Sequence, residues 1–343
     1  MENEEQVRVN IGILGAGTWG IALARMLANS GHGVTVWSAL PEEIAELAST
    51  RRQKNLPGMV IPDGVRFTTD IAEACGGREV LLFAVPSVYV RATARAAAPH
   101  IAQGQIVVDV AKGMEPDTLM TMTQVIRDEL DRNGAPQVAL VALSGPTHAE
   151  EVAQDLPTTI VSACPDLAVA RRVQDVFMNT CMRVYTNEDI LGVELCGAVK
   201  NIIALAAGIS TGLGYGDNAK AALITRGIVE ITRLGVAMGC RSQTFSGLAG
   251  LGDLIVTATS RHSRNNRCGQ LIGQGVPPKE AVRQIGMVVE GIHALAATRQ
   301  LAARYGVSMP ITEAVDAILN RGADPREVVL GLMNREKTSE NED

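Results

Sequence analysis

The most constraining feature of the sequence is a glycine-rich turn between an apolar run and an amphipathic helix. The motif GAGTWG occupies Gly15–Gly20, after the apolar run Val7–Leu14 and before helical spacing over Trp19–Asn29. In such a motif the first glycine permits a tight turn, the second lets the backbone approach a pyrophosphate, and the third lets helix and strand pack closely. The N-terminus of the helix then faces the anion. The pattern therefore predicts a βα unit that binds a dinucleotide.

Strand and helix candidates alternate over the first half of the chain. A stop at Gly31, a start at Pro41 and a cap at Asp70 indicate helix ends between the strands. The predicted strands are Val7–Leu14, Val34–Trp37, Arg66–Thr69, Val80–Val85, Ile106–Val110, Val138–Leu143, Thr158–Ser162 and Arg183–Thr186, and further helices are predicted over Ile44–Leu47 and Leu119–Leu130. This alternation predicts a parallel sheet covered by helices on both faces.

The second half of the chain has a different pattern. Apolar residues recur there at helical spacing, over Leu191–Ile209, Ala219–Met238, Asn266–Ile272, Pro278–Ile285, Gly291–Tyr305, Ile311–Leu319 and Pro325–Leu332. The expected fold class is α/β, a Rossmann-like doubly wound sheet followed by an all-α C-terminal domain. We expect a dinucleotide-binding domain over residues 1–188, a helical substrate and catalytic domain over 189–335, and a frayed polar tail over 336–343.

Charge and composition exclude several classes of protein. A net charge of −6 and 3% aromatic residues disfavour a nucleic-acid or membrane-surface binder. The six cysteines form no CxxC pair and the five histidines have no metal-ligand spacing, which predicts free buried thiols and no metal site. No apolar run approaches the ~18 residues of a membrane helix. With an acidic, polar start at Met1–Gln6, these features predict a cytoplasmic protein without membrane insertion.

Two lysines, Lys112 and Lys200, lie at positions that favour a catalytic role. Lys112 directly follows a predicted strand, and the C-terminal ends of such strands face the ligand crevice. Lys200 precedes Asn201 on a nearly apolar helix, where burial lowers the pKa of an amine and lets it exchange a proton. The alternatives are a solvated loop lysine at 112 and a lysine at 200 that reaches solvent along its stem. Glu194 is six residues from Lys200 and is not expected to pair with it.

Three further segments are typical of anion or substrate sites. The turn Ser144–Ala149 follows a strand and offers hydroxyls and amides. Gly247–Asp253 is a glycine-rich approach to one aspartate. Ser260–Arg267 combines arginines with serine and asparagine at a predicted helix start, which favours a phosphate site over solvated charges.

The end of the second predicted strand leaves the cofactor open. A carboxylate there favours NAD, and an arginine favours NADP. The sequence Trp37–Leu40 offers neither. Acidic residues come later, at Glu42 and Glu43, and cations later still, at Arg51, Arg52 and Lys54.

Eight motifs in the same order resemble those of bacterial-type NAD(P)-dependent glycerol-3-phosphate dehydrogenases. They are Gly15–Gly20, Asn55–Gly58, Ala111–Gly113, Ser144–Pro146, Glu194–Asn201, Gly247–Asp253, Ser263–Asn265 and Val288–Gly291. The resemblance covers nearly the whole chain apart from its tails. One departure is that the family commonly has an arginine or histidine near Ala39, whereas this chain has neither.

The resemblance implies an oxidoreductase that transfers a hydride reversibly between sn-glycerol 3-phosphate and dihydroxyacetone phosphate, using NAD(P)(H). It also implies a homodimer that supplies glycerol 3-phosphate for phospholipid synthesis. The alternatives are another Rossmann-plus-helical dehydrogenase, of the 3-hydroxyacid or 6-phosphogluconate type, or a non-catalytic nicotinamide sensor.

The resemblance assigns roles residue by residue. Lys200 is the implied proton acceptor, assisted by Lys112, which is expected to lower the pKa of Lys200 by like-charge repulsion. The implied substrate residues are Lys112, Gly145, Thr147, Lys200, Asn201, Asp253, Thr257, Ser263, Arg264 and Asn265. The implied cofactor residues are Gly15, Gly17, Thr18, Trp19, Gly20, Lys112, Ala149, Arg264, Val288 and Glu290. Asp253 is expected to hold Lys200 or a substrate hydroxyl.

Overall fold

An eight-stranded sheet forms the N-terminal half of the computed structural model, which describes residues 8–337, 339 and 340. The spatial order is β3-β2-β1-β4-β5-β6-β7-β8. The strands are β1 (Asn10–Leu14), β2 (Gly33–Trp37), β3 (Arg66–Thr68), β4 (Val80–Phe83), β5 (Ile106–Asp109), β6 (Ala139–Ser144), β7 (Thr158–Ala163) and β8 (Met182–Asn187). The order reverses at β1, so that β1 lies between β2 and β4 and leaves a crevice at the strand ends.

The prediction of a wholly parallel sheet is wrong at one pairing, because β6 and β7 are antiparallel. A parallel crossover needs a connection with a full helix, and the connection between these strands contains only the four-residue helix α6 (Ala149–Val152). This short return keeps the turn after Ser144 at the crevice instead of carrying the chain across the sheet.

Helices cover both faces of the sheet. Those in the N-terminal half are α1 (Thr18–Asn29), α2 (Pro41–Thr50), α3 (Ile71–Cys75), α4 (Ser87–Ala97), α5 (Met122–Arg132), α6 and α7 (Leu167–Phe177). Asp70 caps α3 as predicted, by accepting from the backbone N of Ala72. Helix α5 starts three residues later than predicted, since Leu119 has a φ of 61° and Thr121 forms a capping box with Gln124.

The C-terminal half is helical throughout the described residues. Its helices are α8 (Ile190–Gly212), α9 (Asp217–Ala237), α10 (Ser242–Phe245), α11 (Asp253–Thr259), α12 (Arg264–Gly273), α13 (Pro278–Ile285), α14 (Glu290–Tyr305), α15 (Pro310–Arg321) and α16 (Pro325–Met333), with a π-helical turn over Leu248–Gly252 before α11. The change from sheet to helices falls between Asn187 and Ile190. Part of the predicted tail, residues 338 and 341–343, lies outside the described residues.

Helix α8 is the core of this half. By length and composition it is apolar enough to cross a membrane, although no uninterrupted apolar run in it reaches ~18 residues. Glu194, Lys200 and Asn201 interrupt the apolar sequence of this helix. The most apolar 18-residue window nevertheless has a mean hydropathy of 1.7. The most apolar window is 83% buried inside the protein, as in the core helix of a soluble protein.

Two carboxylates of the helical half cap helices of the sheet half. Glu194 of α8 accepts from the backbone N of Thr123 at 2.8 Å and from the hydroxyls of Thr121 and Thr123, at the start of α5. Glu290 of α14 accepts from the backbone N and the hydroxyl of Ser87, the first residue of α4. Carboxylates are stabilising at helix N-termini, so these contacts hold the two halves together around the cleft.

Candidate active site

The glycine turn between β1 and α1 has the geometry that a dinucleotide requires. Gly15 has a φ of +128°, and a Cβ there would lie 2.7 Å from the backbone of Ala84. A Cβ on Gly20 would lie 2.1 Å from the carbonyl oxygen of Gly15, whereas one on Gly17 would meet no atom within 4 Å. Helix α1 begins without a side-chain cap and without an acid in its first turn. Gly17, Thr18 and Trp19 at this helix start line the open cleft, and a helix N-terminus without an acid favours a pyrophosphate there.

A cleft of about 650 Å³ lies between the two halves and contains most of the predicted site residues. Those that line it are Gly17, Thr18, Trp19, Lys112, Thr147, Ala149, Lys200, Asn201, Thr257, Ser263, Arg264, Asn265, Val288 and Glu290. Gly15, Gly20, Gly145 and Asp253 lie behind this lining. A second cavity, of about 890 Å³, lies among α8, α9, α15 and α16 and contains none of the predicted residues.

Two lysines from different halves meet at one buried carboxylate. Lys200 Nζ donates to Asp253 Oδ1 at 2.5 Å, and Lys112 Nζ donates to Asp253 Oδ2 at 2.8 Å. The Asp253 side chain is 1% exposed and that of Lys200 is 5% exposed. Lys200 also donates to Thr257 Oγ1 at 2.6 Å. Since Lys200 is enclosed and hydrogen-bonded, it does not reach solvent along its stem.

Lys112 is held by the turn after β6. Its Nζ donates to the carbonyl oxygen of Gly145 at 2.8 Å and to Thr147 Oγ1 at 3.2 Å, besides Asp253. These three acceptors match the three N–H donors of an ammonium group. Lys112 is therefore held in a fixed position at the crevice and is not a solvated loop lysine.

Burial controls the charge of Lys200. It lowers the pKa of Lys200 to about 7, with Asp253 acting to raise it and Lys112 adding to the decrease. Lys112 thus lowers this pKa as expected, but desolvation has the larger effect. Burial also acts to raise the pKa of Asp253, but the two ammonium groups outweigh it and hold this pKa below the ordinary value. Asp253 is ionised, and Lys200 can change charge near neutral pH.

A network of amides joins α8, α12 and α14 beside the lysines. Asn265 Nδ2 donates to Asn201 Oδ1 at 2.9 Å, and Asn265 Oδ1 accepts from the backbone N of Gly291 at 2.9 Å. Ser263 Oγ caps α12 by accepting from the backbone N of Asn266. Arg264, the first residue of α12, is half-buried and lines the cleft. Its guanidinium and the helix N-terminus give this wall of the cleft a positive character.

Comparisons with known proteins agree with this architecture. The family model for the N-terminus of NAD-dependent glycerol-3-phosphate dehydrogenase matches residues 10–170, and that for its C-terminus matches residues 189–330. The chain belongs to this family. The first matched region contains Lys112 and the second contains Lys200 and Asp253, so the family's two regions meet at the cleft.

Individual relatives share the family and the fold. "Glycerol-3-phosphate dehydrogenase [NAD(P)+] 2" of Lactobacillus delbrueckii subsp. bulgaricus is 67% identical over 331 residues, 96% of this chain and 98% of the relative. A glycerol-3-phosphate dehydrogenase [NAD(P)+] of Agathobacter rectalis is 49% identical, with 96% and 97% covered. The crystal structure of glycerol-3-phosphate dehydrogenase from Coxiella burnetii has a TM-score of 0.90 at 37% identity, covering 96% of this chain and 99% of that one.

The cleft of this family member also contains residues whose role no sequence motif indicates. His148 lines the cleft, and its ring centroid lies 5.8 Å from that of His262. Burial lowers the pKa of His148, and the two lysines add to the decrease. Asn55 Nδ2 donates to Thr18 Oγ1 at 3.2 Å, which joins the NLPG motif to the glycine turn. The only indication in the sequence that His148 and Asn55 lie at the cleft is that both belong to motifs of the family. No local pattern shows which side of a turn faces a cleft.

Proposed function

We propose that this chain catalyses reversible hydride transfer between sn-glycerol 3-phosphate and dihydroxyacetone phosphate, using NAD(P)(H). The observation that carries the proposal is the carboxylate of Asp253 shared by Lys112 and Lys200, beside a dinucleotide-binding turn in one cleft. This arrangement supplies an amine that changes charge near neutral pH next to an amine that stays fixed. Oxidation of an alcohol needs both an acceptor for the hydroxyl proton and stabilisation of charge on oxygen.

The glycine turn and the residues around it would hold the cofactor. The N-terminal amides of α1 would bind the pyrophosphate, with Thr18 and Trp19 beside it. Ala149, Val288 and Glu290 also line the cleft and would contact the same ligand. The nicotinamide, when bound, accepts or gives the hydride.

Lys200 would move the proton. In the oxidation of glycerol 3-phosphate, its neutral amine takes the proton of the reacting hydroxyl, and in the reduction of dihydroxyacetone phosphate its ammonium returns that proton to oxygen. Asp253 stabilises the ammonium form, and Thr257 Oγ1 fixes the position of Nζ. Lys112, which is held by its three acceptors, would stabilise negative charge that develops on the substrate oxygen.

The start of α12 would bind the phosphate of the substrate. Arg264 lies there among lining residues that also include Arg261 and Arg267. Asn265 would help to hold the start of α12 in place, since its amide is hydrogen-bonded to both Asn201 and Gly291. Binding energy from the phosphate then orients the carbon that reacts.

Other expectations extend the same proposal. We infer that the enzyme works in the cytoplasm as a homodimer and supplies glycerol 3-phosphate for phospholipid synthesis. The domain bounds that fit this function are residues 1–188 for cofactor binding and 189–335 for the substrate. A dehydrogenase of the 3-hydroxyacid or 6-phosphogluconate type would turn over those acids, whereas a sensor would bind the cofactor without turnover.

The test is the loss of absorbance of NADH or NADPH on addition of dihydroxyacetone phosphate. Oxidation that depends on this substrate supports the proposal. No oxidation by a folded protein that binds either cofactor would overturn it, and oxidation with 3-oxoacids instead would favour the other dehydrogenases.

A further inference from the structure

We propose that Glu43 and Ser38 make the cofactor cleft selective for NAD(H) over NADP(H). The proposal deepens the function above and rests on it only in that a nicotinamide dinucleotide occupies the cleft. Glu43 lines the same cleft as Gly17, Thr18 and Trp19 of the glycine turn. No residue at the end of β2 itself supplies the carboxylate that favours NAD, and Glu43 supplies one from the first turn of α2.

The carboxylate of Glu43 is tied to the end of β2. Ser38, the residue after this strand, donates from Oγ to Glu43 Oε2 at 2.6 Å. Ser38 is itself fixed, because its Oγ accepts from the backbone N of Leu40 and its backbone N donates to the carbonyl oxygen of Thr68. Gly15 N donates to the carbonyl oxygen of Trp37 at 2.9 Å, so the end of β2 adjoins the glycine turn.

The end of β2 is the place at which Rossmann domains distinguish the two cofactors. One oxygen of Glu43 accepts from Ser38, and a carboxylate has further acceptor sites for the 2′- and 3′-hydroxyls of a ribose. The 2′-phosphate of NADP(H) would instead bring a second anion against this carboxylate, and like charges in contact are unfavourable. A fixed carboxylate at this point therefore accepts the hydroxyls and rejects the phosphate.

The cations suggested by the sequence do not reverse this preference. The guanidinium of Arg51 is occupied by contacts within the protein. Its Nη1 donates to the carbonyl oxygen of Val65 at 2.7 Å, and the group lies 5.2 Å from the centroid of the Phe67 ring. Arg52 is exposed and is not among the residues that line the cleft. Lys54 lines the cleft but is exposed, so its charge is screened by solvent more than a hydrogen-bonded pair is.

The test is the ratio of the dissociation constants of NADH and NADPH, measured on the full chain by nicotinamide fluorescence without substrate. We expect wild-type protein to bind NADH at least about tenfold more tightly, on the scale of a hydrogen bond to a charged group. Glu43→Gln removes the charge at constant shape and is expected to bring the ratio about tenfold closer to one. Glu42→Gln is the matched control, because Glu42 is an exposed acid in the same helical turn outside the lining. It should leave the ratio unchanged.

A second variant tests the same idea in the opposite direction. Ala39 is exposed next to Ser38, and Ala39→Arg adds a cation at the end of β2. We expect this change to favour NADPH by about tenfold. A wild-type protein that binds both cofactors equally, a Glu43→Gln protein that keeps the wild-type ratio, or an Ala39→Arg protein without gain for NADPH would overturn the proposal.

The binding test fails separately from the proposed function. If the ratios behave as expected but dihydroxyacetone phosphate causes no oxidation of NADH, the catalytic proposal is wrong and the selectivity stands. If oxidation occurs while Glu43→Gln binds both cofactors as the wild type does, the catalytic proposal stands and the assignment of Glu43 is wrong.

Discussion

Asp253 and Lys200 are joined by a hydrogen bond of 2.5 Å between two helices of the same half, and both side chains are almost fully buried. An ammonium group in such a place is expensive unless a carboxylate compensates it. Here burial outweighs the compensation, and the same carboxylate also accepts from Lys112. Lys200 can thus lose its proton near pH 7, whereas a surface lysine stays charged there.

Removal of the Lys200 amine should abolish most of the turnover. We expect Lys200→Ala to lower kcat by at least about 10²-fold, which is the scale of lost acid–base catalysis. The measurement is NADH oxidation with dihydroxyacetone phosphate, with Lys279→Ala as control because Lys279 is exposed on α13. A variant with near-normal kcat would remove Lys200 from the proton-transfer role.

The pH dependence should have opposite signs in the two directions. Oxidation of glycerol 3-phosphate needs the neutral amine of Lys200, so kcat/KM should rise with pH up to about 7 and level off above it. Reduction needs the ammonium, so its kcat/KM should fall as the pH rises above about 7. Initial rates in both directions at constant ionic strength measure this. Parallel profiles would contradict the assignment.

Asp253→Asn should move these profiles to lower pH. The charge of Asp253 raises the pKa of Lys200, and the amide lacks that charge. We expect the midpoint of the oxidation profile to fall below about 7 and kcat of the reduction to decrease at neutral pH, because less Lys200 is protonated. An unchanged midpoint with lower activity would indicate that Asp253 acts only through packing.

Arg264→Ala should act mainly on substrate binding. Loss of a charge-assisted contact to a phosphate is expected to raise KM for dihydroxyacetone phosphate by about tenfold or more, with a smaller effect on kcat. Arg326→Ala, an exposed arginine on α16, is the control. If KM is unchanged, the phosphate lies elsewhere on the cleft wall.

Glu194→Ala should destabilise the fold through α5. It leaves the backbone N of Thr123 and the hydroxyls of Thr121 and Thr123 without their acceptor, in a buried place. We expect the free energy of unfolding to decrease by about 2 kcal/mol. Urea denaturation measures this, with the exposed Glu46→Ala as control, for which a change within about 0.5 kcal/mol is expected. Equal stability of the two variants would show that the cap is not stabilising.

Local patterns were sufficient to predict most of the fold. Apolar runs such as Ile106–Val110 and the glycine turn carry their own signals, because periodicity and backbone geometry act over a few residues. The antiparallel pairing of β6 and β7 carried no such signal, since it depends on the length of a connection that contains a very short helix.

The sequence indicated which residues are candidates for the site better than it indicated which of them contact one another. Lys112 and Lys200 were recognisable from a strand end and from an apolar helix, but their common partner Asp253 lies 141 and 53 residues away in sequence. The same holds for Glu194, whose partners are on α5. Arg51 is one of the three cations that follow the end of β2 in the sequence, and only the fold shows that its guanidinium contacts the carbonyl of Val65 and the ring of Phe67.

The caps that Glu194 and Glu290 place on α5 and α4 have a mechanical consequence. A hinge that separated the two halves would withdraw both acceptors and leave the first turns of those helices to fray. Widening of the cleft by such a hinge would therefore be coupled to local melting of these two helix ends. If the halves separate in this way, amide hydrogens at the starts of α4 and α5 should exchange with deuterium in step with the opening.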